Sequence, residues 1–130
     1  MVKLSAISPA HRDHQRYIVF GIISEKSFVL GDVVKTVWTS TLQLFGEVGT
    51  SEITLWMPST LYNKTEKKGI IKTDNHSVEK IRAALACITN IENQKVIFKV
   101  LGITGTINAA KRKFLDPEDL QEKPLSEFSS

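Results

Sequence analysis

Residues Lys95 to Phe114, KVIFKVLGITGTINAAKRKF, constrain the fold more than any other stretch of the chain. Val96, Phe98 and Val100 alternate with Ile97, Lys99 and Leu101. A period of two predicts a strand with one wholly apolar face and one face mixing Ile97 and Leu101 with Lys95 and Lys99. Gly102 and Gly105 then let the backbone bend. Thr106 is an N-cap residue for a helix from Ile107 onward, and three consecutive cations follow, Lys111, Arg112 and Lys113. A strand that must bury one face, joined by a short turn to a basic helix, points to a layered domain with cations on its surface. Free N–H groups at the helix start and cations further along suit phosphate.

The rest of the chain fills in that domain. Tyr17 to Ser24 reads YIVFGIIS, a buried strand with Ile18, Phe20 and Ile22 on its core face. Leu30 to Phe45 predicts a helix striped by Val34, Val37, Trp38, Thr41 and Phe45, with Gly46 as its C-cap residue. Strand character returns around Ile53 to Trp56 and is checked by Pro58. The polar Tyr62 to Lys68 reads as a turn, so Gly69 to Thr73 closes a hairpin with the preceding strand. Asp74, Asn75, His76 and Ser77 are all helix-start residues. Val78, Ile81, Leu85 and Ile88 then mark an amphipathic helix, and Asn90 to Asn93 reads as a connection into the last strand.

The order β-α-β-β-α-β predicts an α+β, ferredoxin-like or RRM-like antiparallel sheet with helices on one face, plus a C-terminal helix. The expected organisation is a flexible arm at 1–15, one domain at 16–115 and an acidic, disordered tail at 116–130 with room for a short helix near Glu118 to Glu122.

Charge separates the body from the tail. Residues 116–130 hold five acids against one lysine, and residues 1–115 hold sixteen Lys and Arg against nine acids. A basic body fits nucleic acid or another polyanion, and it equally fits a solvated surface. No apolar run reaches membrane-spanning or signal-peptide length. Cys87 is the one cysteine, which excludes an intrachain disulfide and fits a cytoplasmic protein.

Catalytic signatures are missing from the sequence. His11-x-x-His14 is half a metal site without partners and reads as part of the arm. Cys87 reads as a small core residue beside Ile88. No paired carboxylates, nucleophile triad or phosphate-cradling loop stands out, so neither catalytic nor metal-binding residues are assigned. Gly102-Ile103-Thr104-Gly105 matches the GxxG of KH domains, but that loop joins two helices and this one follows a strand. The base-stacking platforms of an RRM are also missing: Tyr17 and Phe20 point to opposite faces, and Gly69 to Thr73 holds no aromatic. Trp38 and Trp56 read as packing or partner-contact residues.

Arg16-Tyr17-Ile18, Gly69-Ile70-Ile71-Lys72 and above all Val96 to Gly102, followed by Thr104-Gly105-Thr106-Ile107 and Lys111-Arg112-Lys113-Phe114, resemble archaeal ribonuclease P protein component 2 of the Pop-five/Rpp-fourteen family. The resemblance runs from about Pro9 to Phe114. It implies an RRM-like fold with added helices. It implies a protein subunit of the ribonucleoprotein that removes the 5′ leader of precursor tRNA, with the chemistry carried by the RNA and its Mg²⁺. The implied partners are that RNA, a TIM-barrel-like component 3, precursor tRNA indirectly, and a second copy in assemblies with two of each. The acidic tail does not map onto the family pattern, and His14-Gln15 stand where a further cation is expected.

The expected RNA-binding residues are Arg12, Arg16, Lys95, Lys99, Gly102, Gly105, Thr106, Lys111, Arg112 and Lys113. Arg112 and Lys113 are expected to point outward. The expected protein-partner surface is Trp38, Leu42, Leu44, Phe45 and Trp56, with burial in the core as the equal alternative for this apolar set. The competing reading is a ferredoxin-like interaction or ligand-regulatory module that binds no RNA.

Overall fold

Strand β1 (Gln15–Ile23) is the hub of the computed structural model, which describes residues 14–115. Every residue from Tyr17 to Ile22 is buried, so both faces of this strand need cover. Strand β3 (Lys68–Asp74) and strand β6 (Ile97–Thr104) flank it, both antiparallel. The short β2 (Tyr62–Asn63) extends the far side of β3, giving the order β2-β3-β1-β6. The expected arm loses its last residue, Gln15, to β1; Arg12 and the segment 116–130 lie outside the described residues.

Helix α1 (Leu30–Ser51) and helix α2 (Val78–Cys87) cover one face of the sheet, where Ile18, Phe20, Ile22, Ile71 and Phe98 meet Val33, Val37, Ile81 and Leu85. Helix α3 (Ile107–Leu115) covers the other face: Ala110, Ile107 and Phe114 pack on Tyr17, Val19 and Ile70. This is the α+β, ferredoxin-like arrangement, with the C-terminal helix forming a third layer.

The local reasons are legible residue by residue. Gly46 has φ +70° and breaks α1 after Phe45, as its place behind the apolar stripe predicts, but the chain resumes helical geometry to Ser51. Ser40 on α1 donates to the carbonyl of Ala84 on α2 at 2.7 Å and ties the two helices together. At the start of α2 the Asp74 carboxylate accepts the N–H groups of His76 and Ser77, both at 2.9 Å, so of the four helix-start residues Asp74 is the one whose side chain holds the turn into the helix. The Tyr62 hydroxyl donates to the Phe28 carbonyl and pins β2 to the loop before α1. Burial first, and then the Asp32 carboxylate, push its pKa up from the ordinary value.

Three expectations change. The hairpin strand around Ile53 to Trp56 reduces to a single bridge, Trp56 opposite Lys72. Pro58 has no N–H to continue the ladder, and a 3-10 turn at Ser59–Leu61 intervenes before β2. The connection at 90–93 belongs to a hairpin of its own, β4 (Asn90–Ile91) with β5 (Gln94–Lys95), turning through Glu92 and Asn93 at φ +48° and +69°. Cys87 is exposed, not a core residue, because Leu85 and Ile88 take the inward positions at the end of α2.

A Cβ on Gly69 would stand 2.5 and 2.7 Å from ring atoms of the buried Phe20. Gly69→Ala should therefore cost about 1–3 kcal/mol, read as a lower urea midpoint at unchanged m value. Gly31→Ala, in α1 with no atom within 4 Å of the new methyl, should be neutral or stabilising in the same assay.

Candidate nucleic-acid interface

The basic surface is positioned by a β-bulge. Phe20 pairs with Val100 and Val19 with Gly102, so Leu101 is the extra residue of β6. A bulge bends its strand and increases the local twist. Leu101 joins the apolar cluster beneath α3, and Gly102 lies inside the strand with no positive φ rather than at the bend. The turn falls at Gly105 and Thr106. Thr106 Oγ1 accepts the N–H of Ala109 at 3.3 Å, which makes it the expected cap, and Thr104 donates its hydroxyl to the Thr106 carbonyl at 2.9 Å. From there α3 runs back across β1 toward β3.

The cations of α3 divide by burial. Lys111 and Arg112 are exposed. Lys113 does not point outward as expected: it is half-buried, its stem crossing β6 3.2 Å from where a Cβ of Gly102 would be. Helical geometry sets Lys111 about 160° from Lys113, on the flank turned toward β3. Lys99 is exposed on the same sheet face, opposite Gly21, and Lys95 is exposed on β5. Arg16 is half-buried; its Nη1 donates to the Gln15 carbonyl at 2.8 Å and lies 3.8 Å from the position of a Gly105 Cβ. The start of β1 and the turn into α3 are therefore neighbours: Arg16 stands beside Gly105 at the turn, and the exposed Lys111 and Arg112 follow further along α3. Such groups can hold phosphates. Among the described residues no three His, Cys, Asp or Glu side chains cluster as a metal site.

One structural lysine escapes a reading of the sequence. Lys68, fully buried, donates from Nζ to the Phe114 carbonyl at 3.0 Å and sits 3.8 Å from Glu66. It clamps the C-terminal end of α3, where a cation also meets the helix dipole. Its position directly before Gly69, at the head of an apolar strand, is the one signal the sequence offers.

The apolar residues expected to bind protein fall into two places. Trp38 and Phe45 pack against the core, while Leu42 and Leu44 stay 44% and 42% exposed on α1. Trp56 is 55% exposed and stands over Lys72, whose Nζ is 5.3 Å from the ring centroid. Register places Trp56 and Lys72 on the α3 side of the sheet, away from α1.

The Rpp14/Pop5 family matches residues 16–115. "Ribonuclease P protein component 2" of Pyrococcus horikoshii is 37% identical over 115 residues, covering 88% of this chain and 94% of that one. The proteins of the same name from Methanosarcina mazei and Methanothermobacter thermautotrophicus are 34% and 30% identical, each over 88% of this chain and covering 96% and 95% of their own. A chain in the cryo-EM structure of yeast ribonuclease MRP superposes with a TM-score of 0.59 at 7% identity, covering 73% of this chain and 76% of that one. At that identity the likeness is one of fold.

Lys68→Met keeps most of the side-chain volume and removes the bond to Phe114. It should cost about 1–3 kcal/mol. Amide hydrogen exchange should rise first across 107–115, ahead of β1 and β3.

Proposed function

This chain belongs to the Rpp14/Pop5 family, and on that premise we propose that it is a non-catalytic, RNA-binding protein subunit of ribonuclease P. In that role it assists the catalytic RNA as the 5′ leader is removed from precursor tRNA. The observation that carries the RNA-binding part is the docking of α3. Its apolar side is buried on the sheet, which leaves Lys111 and Arg112 in solvent beside Arg16 and the capped turn at Gly105 and Thr106. A helix held this way offers cations and N–H groups in fixed positions, so little ordering entropy is lost on meeting a phosphate backbone.

Such contacts set position and affinity and do not read sequence. The bond-breaking chemistry falls to the RNA and its Mg²⁺. On this reading highly purified, RNA-free protein leaves precursor tRNA uncut. Leu42 and Leu44, exposed on α1, are the proposed seat of component 3, in an assembly with two copies of each chain. The single, exposed Cys87 fits work in a reducing cytoplasm. Among the described residues no helix is long and apolar enough to cross a membrane.

Because Lys113 also packs on β6, the pair to remove is Lys111 and Arg112. Lys111→Ala with Arg112→Ala should leave the unfolding midpoint nearly unchanged. It should flatten the salt dependence of binding to ribonuclease P RNA by roughly 0.7–0.9 for each phosphate no longer neutralised. A wild-type salt slope and full reconstitution of leader cleavage would instead favour an interaction module that binds no RNA.

A further inference from the structure

Four residues form a straight row across the sheet. Trp56 bridges Lys72, Lys72 pairs with Tyr17, and Tyr17 pairs with Thr104, so all four side chains belong to the α3 face. At one end of the row Thr104 leads through Gly105 into the start of α3. At the centre Tyr17 is buried with the α3 cluster. At the far end the indole of Trp56 is more than half in water.

Trp56 is not a loose surface ring. Its N–H donates to the Lys72 carbonyl at 2.9 Å and its carbonyl accepts the Lys72 N–H at 2.7 Å. Its neighbours Leu55 and Met57 are buried in the core on the opposite side. The backbone is thus fixed on three counts, and the ring is presented rigidly with the Lys72 ammonium beside it.

The surroundings favour nucleic acid over protein as the occupant. A protein interface is built on a cluster of apolar side chains. Other exposed apolar residues stand elsewhere: Leu42, Leu44 and Val48 on α1, Ile23 and Ile97 at the other end of β1, and Ile103 on the opposite sheet face. What neighbours Trp56 on its face is a cation, with the Lys111 flank of α3 turned the same way. A rigid, exposed aromatic ring beside a cation is the pairing used in single-stranded nucleic-acid sites, where a base stacks and the backbone is neutralised.

We propose that Trp56 and Lys72 bind one unpaired nucleotide of RNA, with the base stacked on the open face of the indole and its phosphate at the Lys72 ammonium. The strand would then cross the row toward the start of α3 and Lys111. The inference rests on the RNA-binding reading above and adds to it a second mode of contact, stacking at the sheet edge. It also moves Trp56 from the protein-partner surface to the RNA surface.

The test uses the full chain and two probes, oligouridine and an RNA duplex of the same length, with RNA affinity measured across a salt series. Oligouridine should quench Trp56 emission, a signal absent from Trp56→Phe. Trp56→Ala should weaken oligouridine binding by about 5- to 150-fold, with the salt slope unchanged, because every phosphate keeps its cation. Trp56→Phe should keep most of the affinity. Lys72→Ala should lower the slope by about 0.7, the value for one phosphate of a single strand. Duplex binding should be unchanged in Trp56→Ala.

Wild-type oligouridine affinity in Trp56→Ala, with its unfolding midpoint intact, overturns the proposal. So does loss of component 3 binding without loss of RNA binding, which would return Trp56 to a protein surface. If Trp56→Ala is silent while the Lys111 and Arg112 variant still flattens the slope, only this inference fails. If the wild-type chain binds neither RNA, the RNA-binding reading fails with it.

Discussion

A strand buried on both faces sets the terms for the rest of the molecule. From Tyr17 to Ile22, β1 has no solvent side, so the sheet needs apolar cover above and below. Helices α1 and α2 supply one cover. The other has to come from the end of the chain, and it comes as a single nine-residue helix. An isolated helix that short is unstable in water. It holds because Ala110, Ile107 and Phe114 bury against Val19, Tyr17 and Ile70, because Thr106 caps its start, and because Lys68 binds its last turn. The bulge at Leu101 belongs to the same constraint, since it directs the chain back over β1.

That cover decides which surfaces remain open to a partner. In an RRM the middle of this sheet face stacks bases. Here the middle is filled by Tyr17, Val19 and Ile70 under α3, so no stacking platform is open there. One open place is the solvent side of α3, where Lys111 and Arg112 are exposed. The other is the sheet edge, where an aromatic ring is still in water. The fold keeps the face, fills its centre with a helix and sets exposed cations over it.

The elements whose pattern is local are legible in the sequence. The alternation of β1 and β6, the apolar stripes of α1 and α2, the break at Gly46 and the cap at Thr106 all follow from period or from one residue's backbone chemistry. The features that escape it depend on register between distant segments. Nothing local in VLG marks Leu101 as a bulged residue; the slip exists only against Val19 and Phe20. Trp56 reads as one more apolar residue in ITLWM until its pairing with Lys72 shows which face it takes. The hairpin at 90–95 turns through Glu92 and Asn93 instead of the Asn-Gly or Asp-Gly that announces such a turn. Cys87 is the last residue of α2 and Ile88, just past its end, turns inward, a difference of one residue that composition does not resolve.

The lysines show why charge counts alone cannot draw the interface. Lys68, Lys111 and Lys113 are identical in chemistry and all meet α3, yet they do three different jobs. Lys68 is wholly inside and directs its ammonium to the helix's own carbonyl. Lys113 lays its stem along β6 over Gly102 and acts partly as an apolar side chain. Only Lys111, with Arg112, stands clear in solvent. A polyanion passing over α3 therefore meets fewer solvent-facing cations than the run Lys-Arg-Lys advertises, and those it meets lie outward and toward β3. Lys72, paired with Tyr17 and bridged to Trp56, lies on the same sheet face that α3 covers, beside the exposed indole.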